Sequence, residues 1–284
     1  MEMRMIFKEQ KRAVISVPTA AKYVVLSAFA VLALYPFIWV LISSLKTDPE
    51  IFGSPFSLPS VYQYGNFYTA WVVAKIGDYF GNSVFYTVVS VFFILLLSSM
   101  VSYVITRVEQ FRFLQRYFTL GIMIPVHAVL IPTFVLLKTL GMYNTRIGFI
   151  CILIASHLSL SVFILSGYMK SVPKELDEAA LIDGCSFAKT FFIIILPISK
   201  PGLATVGTLT LLNCWNEYLY AYIMLANAAI KTITQGIFSM QGQYVTNYAY
   251  MCAGLVIAIV PVMLFYVIFQ EQVMEGITAG AIKG

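Results

Sequence analysis

Long apolar runs alternate with short polar segments along this chain, and their lengths predict its architecture. A helix needs roughly 20 apolar residues to cross a hydrocarbon layer about 30 Å thick. Six runs meet that length: 23–45, 83–106, 117–137, 147–169, about 203–226 and 248–270. Only one charged residue falls within them, Glu217 in the fifth. Since backbone in lipid must pair its polar groups internally, we expect an all-α membrane protein with six transmembrane helices.

The remaining segments divide a single membrane domain, 1–284, into a bundle and two tails. Residues 1–22 form a basic tail, residues 23–270 a six-helix bundle, and residues 271–284 a second tail. The first apolar run is too long for the core of a cleaved signal peptide, and no small-residue cleavage site follows it. We therefore predict that this run is retained as a span.

Composition and charge add an orientation to this architecture. The chain is 60% hydrophobic and 11% charged, whereas soluble domains have about 25% charged residues. With the N-terminus inside, 13 of the 18 Lys and Arg residues lie in inner segments, and the other five are Lys46, Lys75, Lys138, Arg146 and Lys231. Cytoplasmic loops carry the excess of positive charge, so both termini are predicted to be cytoplasmic. The net charge of +5 follows from this topology and gives no reason to expect a nucleic-acid partner.

Known catalytic and metal-binding patterns are missing from the sequence. The four cysteines are widely spaced and have no histidine at ligand spacing, so we interpret them as packing residues and predict no metal site. They are Cys151, Cys185, Cys214 and Cys252. The nearest approach to a phosphate-binding loop, residues 184–190, lacks the second glycine of that motif. We therefore predict no catalytic residue and no bound cofactor in this chain.

The two histidines, His127 and His157, both fall inside apolar runs. An ionisable residue within a membrane is a functional candidate by default, and a proton relay would make this chain a secondary transporter. The alternative is that the histidines are neutral and bond to neighbouring helices or line a path. The second, third, fourth and sixth runs contain no carboxylate, which disfavours a relay.

The outer loop at 46–82 is long and rich in proline and aromatic residues. Its prolines, Pro49, Pro55 and Pro59, oppose regular helix because each fixes φ and restricts the preceding residue. Its aromatic residues are Tyr62, Tyr64, Phe67, Tyr68 and Trp71. Such a loop serves either as an interfacial aromatic belt or as a docking surface for an external protein, and the sequence leaves both open. Pro125 and Pro132 in the third run predict a kink there.

The inner loop at 171–200 has the most specific pattern. Pro173 suits the first turn of a helix, and the acidic residues after it complement the positive end of the helix dipole. Gly184 is placed to end that helix in a left-handed conformation. We expect a short helix followed by a second one, forming a knob whose surface includes Ala179 and Ala180.

Three groups of residues in this knob resemble the EAA loop of ABC importer permeases. They are Glu178-Ala179-Ala180, Asp183-Gly184 and Ile195-Leu196-Pro197. Further matches resemble the carbohydrate branch of those permeases: Asn82-Ser83, Ile131-Pro132, Leu140-Gly141, Asn144-Thr145 and Trp215-Asn216-Glu217. The segment 276–284 resembles the tail of the MalG-like member of a permease pair. Together the matches extend from about residue 36 to the C-terminus.

The resemblance implies a type I importer permease fold in which the knob docks into a cytoplasmic ATPase subunit. Closure of the ATPase dimer would push the knob and tilt the fifth span through Pro197 and Pro201. The implied coupling residues are Glu178, Ala179, Ala180, Asp183, Gly184, Leu196 and Pro197. A second implied ATPase contact is the tail, at Thr278, Gly280, Lys283 and Gly284. Trp215, Asn216 and Glu217 are candidates for the translocation path, although Glu217 also lies where it can simply reach the aqueous interface.

The resemblance also implies the partners and the location. They are a second, similar permease, two identical ATPase subunits that carry ATP and Mg²⁺, an extracytoplasmic solute-binding protein and a sugar substrate. The complex would lie in the cytoplasmic membrane of a prokaryote. Two alternatives stay open: an ATP-driven importer of another solute, such as an amino acid or peptide, and a proton-coupled secondary transporter.

Overall fold

The computed structural model describes residues 17–241 and 247–281, with side chains described for 21–241 and 247–271. Within these residues all regular structure is helical. The helices are α1 Val17–Ser43, α2 Asp48–Gly53, α3 Gly65–Tyr68, α4 Ile76–Arg107, α5 Phe113–Met123, α6 Leu130–Thr139, α7 Arg146–Met169, α8 Glu175–Ile182, α9 Phe187–Thr190, α10 Leu196–Ile198, α11 Lys200–Asn216, α12 Leu219–Met224, α13 Ile233–Ser239 and α14 Tyr248–Ala281. The expectation of an all-α protein is confirmed for this part of the chain.

Within the described part of the chain, four helices are long and apolar enough to cross a membrane, and two bent pairs raise the number to as many as six. The four correspond to the first, second, fourth and sixth apolar runs. The bent pairs join Glu109–Met123 to Val126–Thr139 at 87°, and Phe187–Ile198 to Lys200–Asn216 at 76°. The third run is therefore helical on both sides of a sharp bend.

Proline chemistry explains the bend in the third run. Ile124 and Pro125 have extended backbone, with ψ of 117° and 122°. Proline disfavours helical backbone in the residue before it and supplies no N–H to the helix. The kink was predicted at this proline, but its angle of 87° makes two helices of the predicted single span.

The fifth run is also interrupted, and the prediction of one helix over 203–226 was wrong. Helix α11 ends at Asn216, Glu217 has extended backbone with ψ of 113°, and α12 begins at Leu219. The Glu217 carboxylate accepts a hydrogen bond from the backbone N–H of Tyr220 at 2.9 Å. The side chain thus satisfies one of the free N–H groups at the start of α12, which stabilises the break.

The outer loop is more regular than its prolines suggested. Pro49 lies in the first turn of α2, where a missing N–H is not needed. Lys46 is fully buried and donates from Nζ to the Ser54 carbonyl at 2.9 Å. Glu50 accepts a 2.6 Å hydrogen bond from the backbone N–H of Ser60, which lowers the pKa of that carboxyl. The loop is therefore a folded cap, with aromatic rings such as Tyr64 exposed on it.

Helices α4 and α7 form the most extensive packing in the bundle. The α4 side chains Ser90, Ser98, Ser99 and Ser102 are fully buried. Ser102 Oγ donates to the carbonyl of Val162 on α7 at 3.2 Å. In lipid there is no hydrophobic driving force between helices, so they associate mainly through close van der Waals packing. Small residues permit that packing because they let the helix backbones approach closely.

The two ends of the bundle are distinguished by what α4 contacts. Its last residue, Arg107, contacts the 171–200 loop, and Asn82 near its start bonds the carbonyls of Ala229 and Lys231. We call these the EAA end and the opposite end. Asp48, just after α1, accepts hydrogen bonds from the N–H groups of residues 248 and 249 at the start of α14. Ala253, near the start of α14, lies in one apolar cluster with Ile76 and Ile233. Helix α1 therefore ends, and α14 begins, at the opposite end.

Two glycines test this packing. A Cβ added at Gly148, in the first turn of α7, would collide with the backbone carbonyl oxygen of Met142. Backbone cannot yield as a flexible side chain does, so Gly148→Ala is expected to destabilise the fold by roughly 1–3 kcal/mol. The measurement is the temperature at which the detergent-solubilised protein loses its monodisperse gel-filtration peak.

Gly81→Ala in α4 is the matched control. A Cβ there meets nothing within 4 Å, and alanine favours helix over glycine by about 1 kcal/mol. An equal fall in midpoint temperature for both variants would contradict the packing of α7 against Met142.

Candidate functional site

The EAA loop folds as a helix, a tight turn and a second helix, as the sequence predicted. Helix α8 begins at Glu175, two residues after Pro173, and ends at Ile182; Gly184 follows two residues later with φ of +77°. The N–H of Cys185 bonds to the Ala180 carbonyl at 2.9 Å, and the N–H of Gly184 to that of residue 181 at 3.0 Å. This pair of bonds is a Schellman motif, which requires the left-handed conformation that glycine adopts most readily. The predicted role of Gly184 in the turn is confirmed.

The second half of the loop leads into α11 through several irregular steps. Ser186 Oγ accepts a hydrogen bond from the Lys189 N–H at 3.3 Å and so caps the start of α9. A π-helical turn, Phe191–Ile195, and the three residues of α10 follow. The chain then bends by 76° at Ser199.

The surface of α8 carries an exposed apolar pair. Leu181 is 72% and Ile182 86% exposed, and Glu178, Ala179 and Asp183 are exposed beside them. In the second half of the loop Leu196 is half-buried and Pro197 is exposed. The sequence predicted a knob surface that includes both Ala179 and Ala180, and only one of them is on the surface.

Ala180 faces the interior, whereas Ala179 faces out. Ala180 is only 3% exposed. Adjacent residues on a helix with 3.6 residues per turn point about 100° apart. One of the two alanines therefore packs α8 onto the bundle, and only the other is on the surface.

Two residues of α4 hold α8 through contacts with its Asp177 side chain. Arg107 Nε lies 2.8 Å from Asp177 Oδ2, and Tyr103 Oη donates to Asp177 Oδ1 at 2.7 Å. Arg107 Nη2 also donates to the Val172 carbonyl at 3.0 Å. The Tyr103 ring lies against Phe187 and Phe191, with centroid distances of 4.5 and 5.3 Å.

The sequence did not identify Tyr103 and Arg107 as site residues. The sequence pattern indicated for Arg107 only that it is one of the positive charges of the inner segments. The available signal was an arginine at the inner end of one span and an acidic loop on the same side two spans later, and this signal does not say which carboxylate the arginine pairs with. Between these anchors and α8–α9 lies a cavity of about 280 Å³. It is lined by Tyr103, Arg107, Lys174, Asp177, Glu178, Leu181, Cys185, Phe187 and Thr190.

At the opposite end, the candidate path residues do not share one surface. Trp215 is 6% exposed and donates from Nε1 to the Ala258 carbonyl of α14 at 3.3 Å. Asn216 is exposed, and its side chain bonds back to the Leu212 carbonyl at 2.9 Å. Trp215 therefore packs α11 against α14, while Asn216 faces outward and Glu217 starts α12.

Two of the other matched dipeptides, Asn82-Ser83 and Asn144-Thr145, contact one segment outside the long helices, residues 224–233, which we call the external segment. Asn82 Nδ2 bonds to the carbonyls of Ala229 and Lys231, each at 3.0 Å, and Ser83 Oγ accepts from the Ile233 N–H at 2.8 Å. Asn144 Oδ1 accepts from the N–H of residue 227 at 2.9 Å. These residues come from one helix and one loop, so their common target could not be predicted from the sequence pattern.

Comparison with known proteins gives this arrangement a family. A model described as the binding-protein-dependent transport system inner membrane component matches residues 111–277. That range is more than half of the chain and contains the whole EAA loop. The chain belongs to this family.

Relatives of this transport permease handle carbohydrates. It is 34% identical to the diacetylchitobiose uptake system permease protein of Streptomyces coelicolor, over 93% of this chain and 89% of the relative. It is 35% identical to a probable starch degradation products transport system permease protein of Thermoanaerobacterium thermosulfurigenes, over 87% and 91%. The predicted resemblance to carbohydrate ABC importer permeases is confirmed.

A solved structure shares the fold of the permease. It is a bacterial ABC transporter involved in the import of the acidic polysaccharide alginate. The two chains superpose with a TM-score of 0.80 at 22% identity, over 90% of this chain and 96% of the other. The chain thus shares the fold of an ABC importer permease without close sequence identity.

Several predicted site residues of the permease stay untested. Thr278 and Gly280 fall in the last turns of α14, where only the backbone is described, and Lys283 and Gly284 lie outside the described residues. His127 is exposed in the turn between α5 and α6. His157 lies on α7, and no described group bonds its buried Nε2.

The anchoring of the external segment gives a direct test. Ser83→Ala removes the acceptor of the Ile233 N–H, and a net hydrogen bond of about 1 kcal/mol corresponds to roughly fivefold faster local opening. Hydrogen exchange measured by mass spectrometry should show this acceleration in peptides covering 229–235. Ser98→Ala is the control, because Ser98 bonds only within α4. Equal exchange in both variants would contradict the Ser83 contact.

Proposed function

We propose that this permease forms half of the translocation path of an ATP-driven oligosaccharide importer and that α8 docks into a separate ATPase. The observation that carries the proposal is the exposed pair Leu181 and Ile182 on a helix whose inner side is anchored to α4. An exposed apolar patch rimmed by polar residues marks an interaction site. Glu178 and Asp183 supply that rim.

The topology proposed for the permease has six spans with both termini in the cytoplasm. Each bent pair counts as one span, which gives six. The distribution of Lys and Arg supports a cytoplasmic EAA loop. Because α1 ends and α14 begins at the opposite end, the tail before α1 and the tail after α14 would both lie on the cytoplasmic side, with the EAA loop.

The proposed partners supply the functions of an ATP-driven importer that this chain does not provide. The phosphate-binding loop is not in this sequence, so ATP and Mg²⁺ would bind to a pair of identical ATPase subunits. The family description supports an extracytoplasmic solute-binding protein. A second, similar permease would complete the path, and the tail at Thr278 to Gly284 would add a contact with the ATPase.

The proposed cargo is a short oligosaccharide. Its support is that two relatives belong to the uptake system for diacetylchitobiose and to a probable transport system for starch degradation products. The test is to purify the tagged permease with its partners in mild detergent and to reconstitute the complex in liposomes. Uptake of diacetylchitobiose, maltose and maltotriose is then measured with Mg-ATP, and separately with a pH gradient alone.

Uptake of one of these sugars with Mg-ATP would support the proposal. Uptake driven by the gradient without an ATPase would replace it with a secondary transporter. An active ATPase complex that takes up an amino acid or peptide instead would correct the cargo class.

The topology has its own test in a cysteine-free variant. Val61→Cys places a thiol in the outer loop, and Ile182→Cys places one on α8; both positions are well exposed. A membrane-impermeant maleimide added to spheroplasts should label position 61 and leave position 182 unlabelled, with the reverse in inverted vesicles. Labelling of position 182 from outside would overturn the proposed orientation.

The docking surface is tested by Glu178→Lys and Gly184→Trp. The first reverses a charge on the rim, and the second forces a bulky residue into left-handed backbone. Both variants should insert in the membrane, yet lose roughly tenfold or more of ATP-driven uptake, the size expected for an interface hot spot. Glu109→Lys is the control, because Glu109 is also an exposed glutamate and lies outside the loop. Normal uptake in both α8 variants would contradict docking through this surface.

A further inference from the structure

Helix α4 contacts functional segments at both of its ends. It is continuous over 32 residues. Arg107 and Tyr103 hold the EAA loop at one end, and Asn82, Ser83 and Tyr86 hold the external segment at the other. The 25 steps from one residue to the next between Asn82 and Arg107 correspond to about 38 Å of helix. Helix α4 therefore links the EAA end of the bundle to the opposite end through one continuous helix.

The contact at the EAA end is largely sequestered from water. The Arg107 side chain is 6% and the Asp177 side chain 20% exposed. Removal of one partner from such a pair leaves an uncompensated charge, so the pair resists separation more strongly than a surface ion pair. The stacking of Tyr103 on Phe187 extends the contact from α8 to α9.

The contact at the opposite end is made to backbone groups. Asn82 bonds two carbonyls, Tyr86 Oη donates to the Ile230 carbonyl at 2.8 Å, and Ser83 accepts from the Ile233 N–H. Arg146 donates to Asn82 Oδ1 at 3.2 Å and so fixes the orientation of its amide. The segment 229–233 is therefore attached to α4 along its main chain.

The covalent route from the EAA loop to the bundle is less direct. Between α8 and α11 the chain passes through the Gly184 turn, the π-helical turn 191–195 and the 76° bend at Ser199. Each of these is a place where backbone angles can absorb a displacement. A push on α8 is thus transmitted to α4 by an ion pair and to α11 by a bent connection.

We propose that α4 transmits the displacement of α8 to residues 229–233 of the external segment. The cluster of Tyr103, Arg107 and Asp177 makes α8 and α4 move as one body. At the opposite end, Asn82, Ser83 and Tyr86 pass that motion to the segment they bond. Arg107 is a positioning residue in this scheme. The inference rests on the proposed function, because it assumes that an ATPase displaces α8.

The test uses the complete complex in liposomes, with Mg-ATP and the sugar of the three-member panel that the unmodified complex imports. Arg107→Leu and Asp177→Leu are expected to lower the ratio of sugar imported to ATP hydrolysed by roughly tenfold, within the usual range of coupling between sites. The exchanged pair Arg107→Asp with Asp177→Arg should recover part of that ratio. Tyr103→Phe, which keeps the ring, should lower it less.

The matched control is Arg112→Leu. Arg112 pairs with Glu109 at 2.8 Å at the same end of the bundle, but both side chains are more than half exposed. Such surface pairs contribute little, so this variant should keep the ratio of the unmodified complex.

A second readout needs no sugar. Hydrogen exchange in peptides covering 229–235 should change when Mg-ATP and vanadate are added to the unmodified complex, and this change should be lost in Arg107→Leu. An unchanged import ratio and an unchanged exchange response in Arg107→Leu would overturn the inference, even with the importer fully active. Absence of ATP-driven uptake by the unmodified complex would instead overturn the proposed function.

Discussion

Peptide groups in a hydrocarbon layer have no water to bond to, and this constraint determines where the chain is continuous helix and where it breaks. Helices α4 and α7 satisfy their backbone groups internally and pack through small residues such as Ser102. The breaks fall where another partner is provided or where an N–H is missing. Glu217 supplies a carboxylate to the Tyr220 N–H, and Pro125 has no N–H to satisfy.

The same constraint concentrates polar side chains at the ends of the bundle. At the opposite end, amide side chains such as Asn82 and Asn144 bond the backbone of the external segment 224–233. At the EAA end, the anchor is charged and aromatic, with Arg107 and Tyr103 on Asp177. A neutral amide suits a fixed loop, since it bonds main-chain donors and acceptors without bringing in a charge. An arginine fits the EAA end, where one side chain holds both a carboxylate and a carbonyl.

The sequence predicted those parts of the fold that depend on local composition. Apolar length placed the spans, and Gly184 placed the end of α8 because a left-handed turn favours glycine. The break at Glu217 was missed because the apolar run continues through it. The inward orientation of Ala180 and the pairing of Arg107 with Asp177 depend on contacts across about 70 positions of sequence. No local pattern encodes which carboxylate of an acidic loop meets a given arginine.

The use of an ion pair under α8 is informative because such pairs are poor sources of stability. Apolar residues of similar volume often stabilise a buried site as well as an ion pair does, so the gain from the pair lies in fixing relative position. Asp177 is held by an ion pair at 2.8 Å and a hydrogen bond at 2.7 Å, both from one helix, and the two contacts restrain rotation and sliding of α8 on α4. Apolar contacts alone are non-directional and would permit such sliding. A helix that receives a push and passes it on needs this restraint more than it needs additional binding energy.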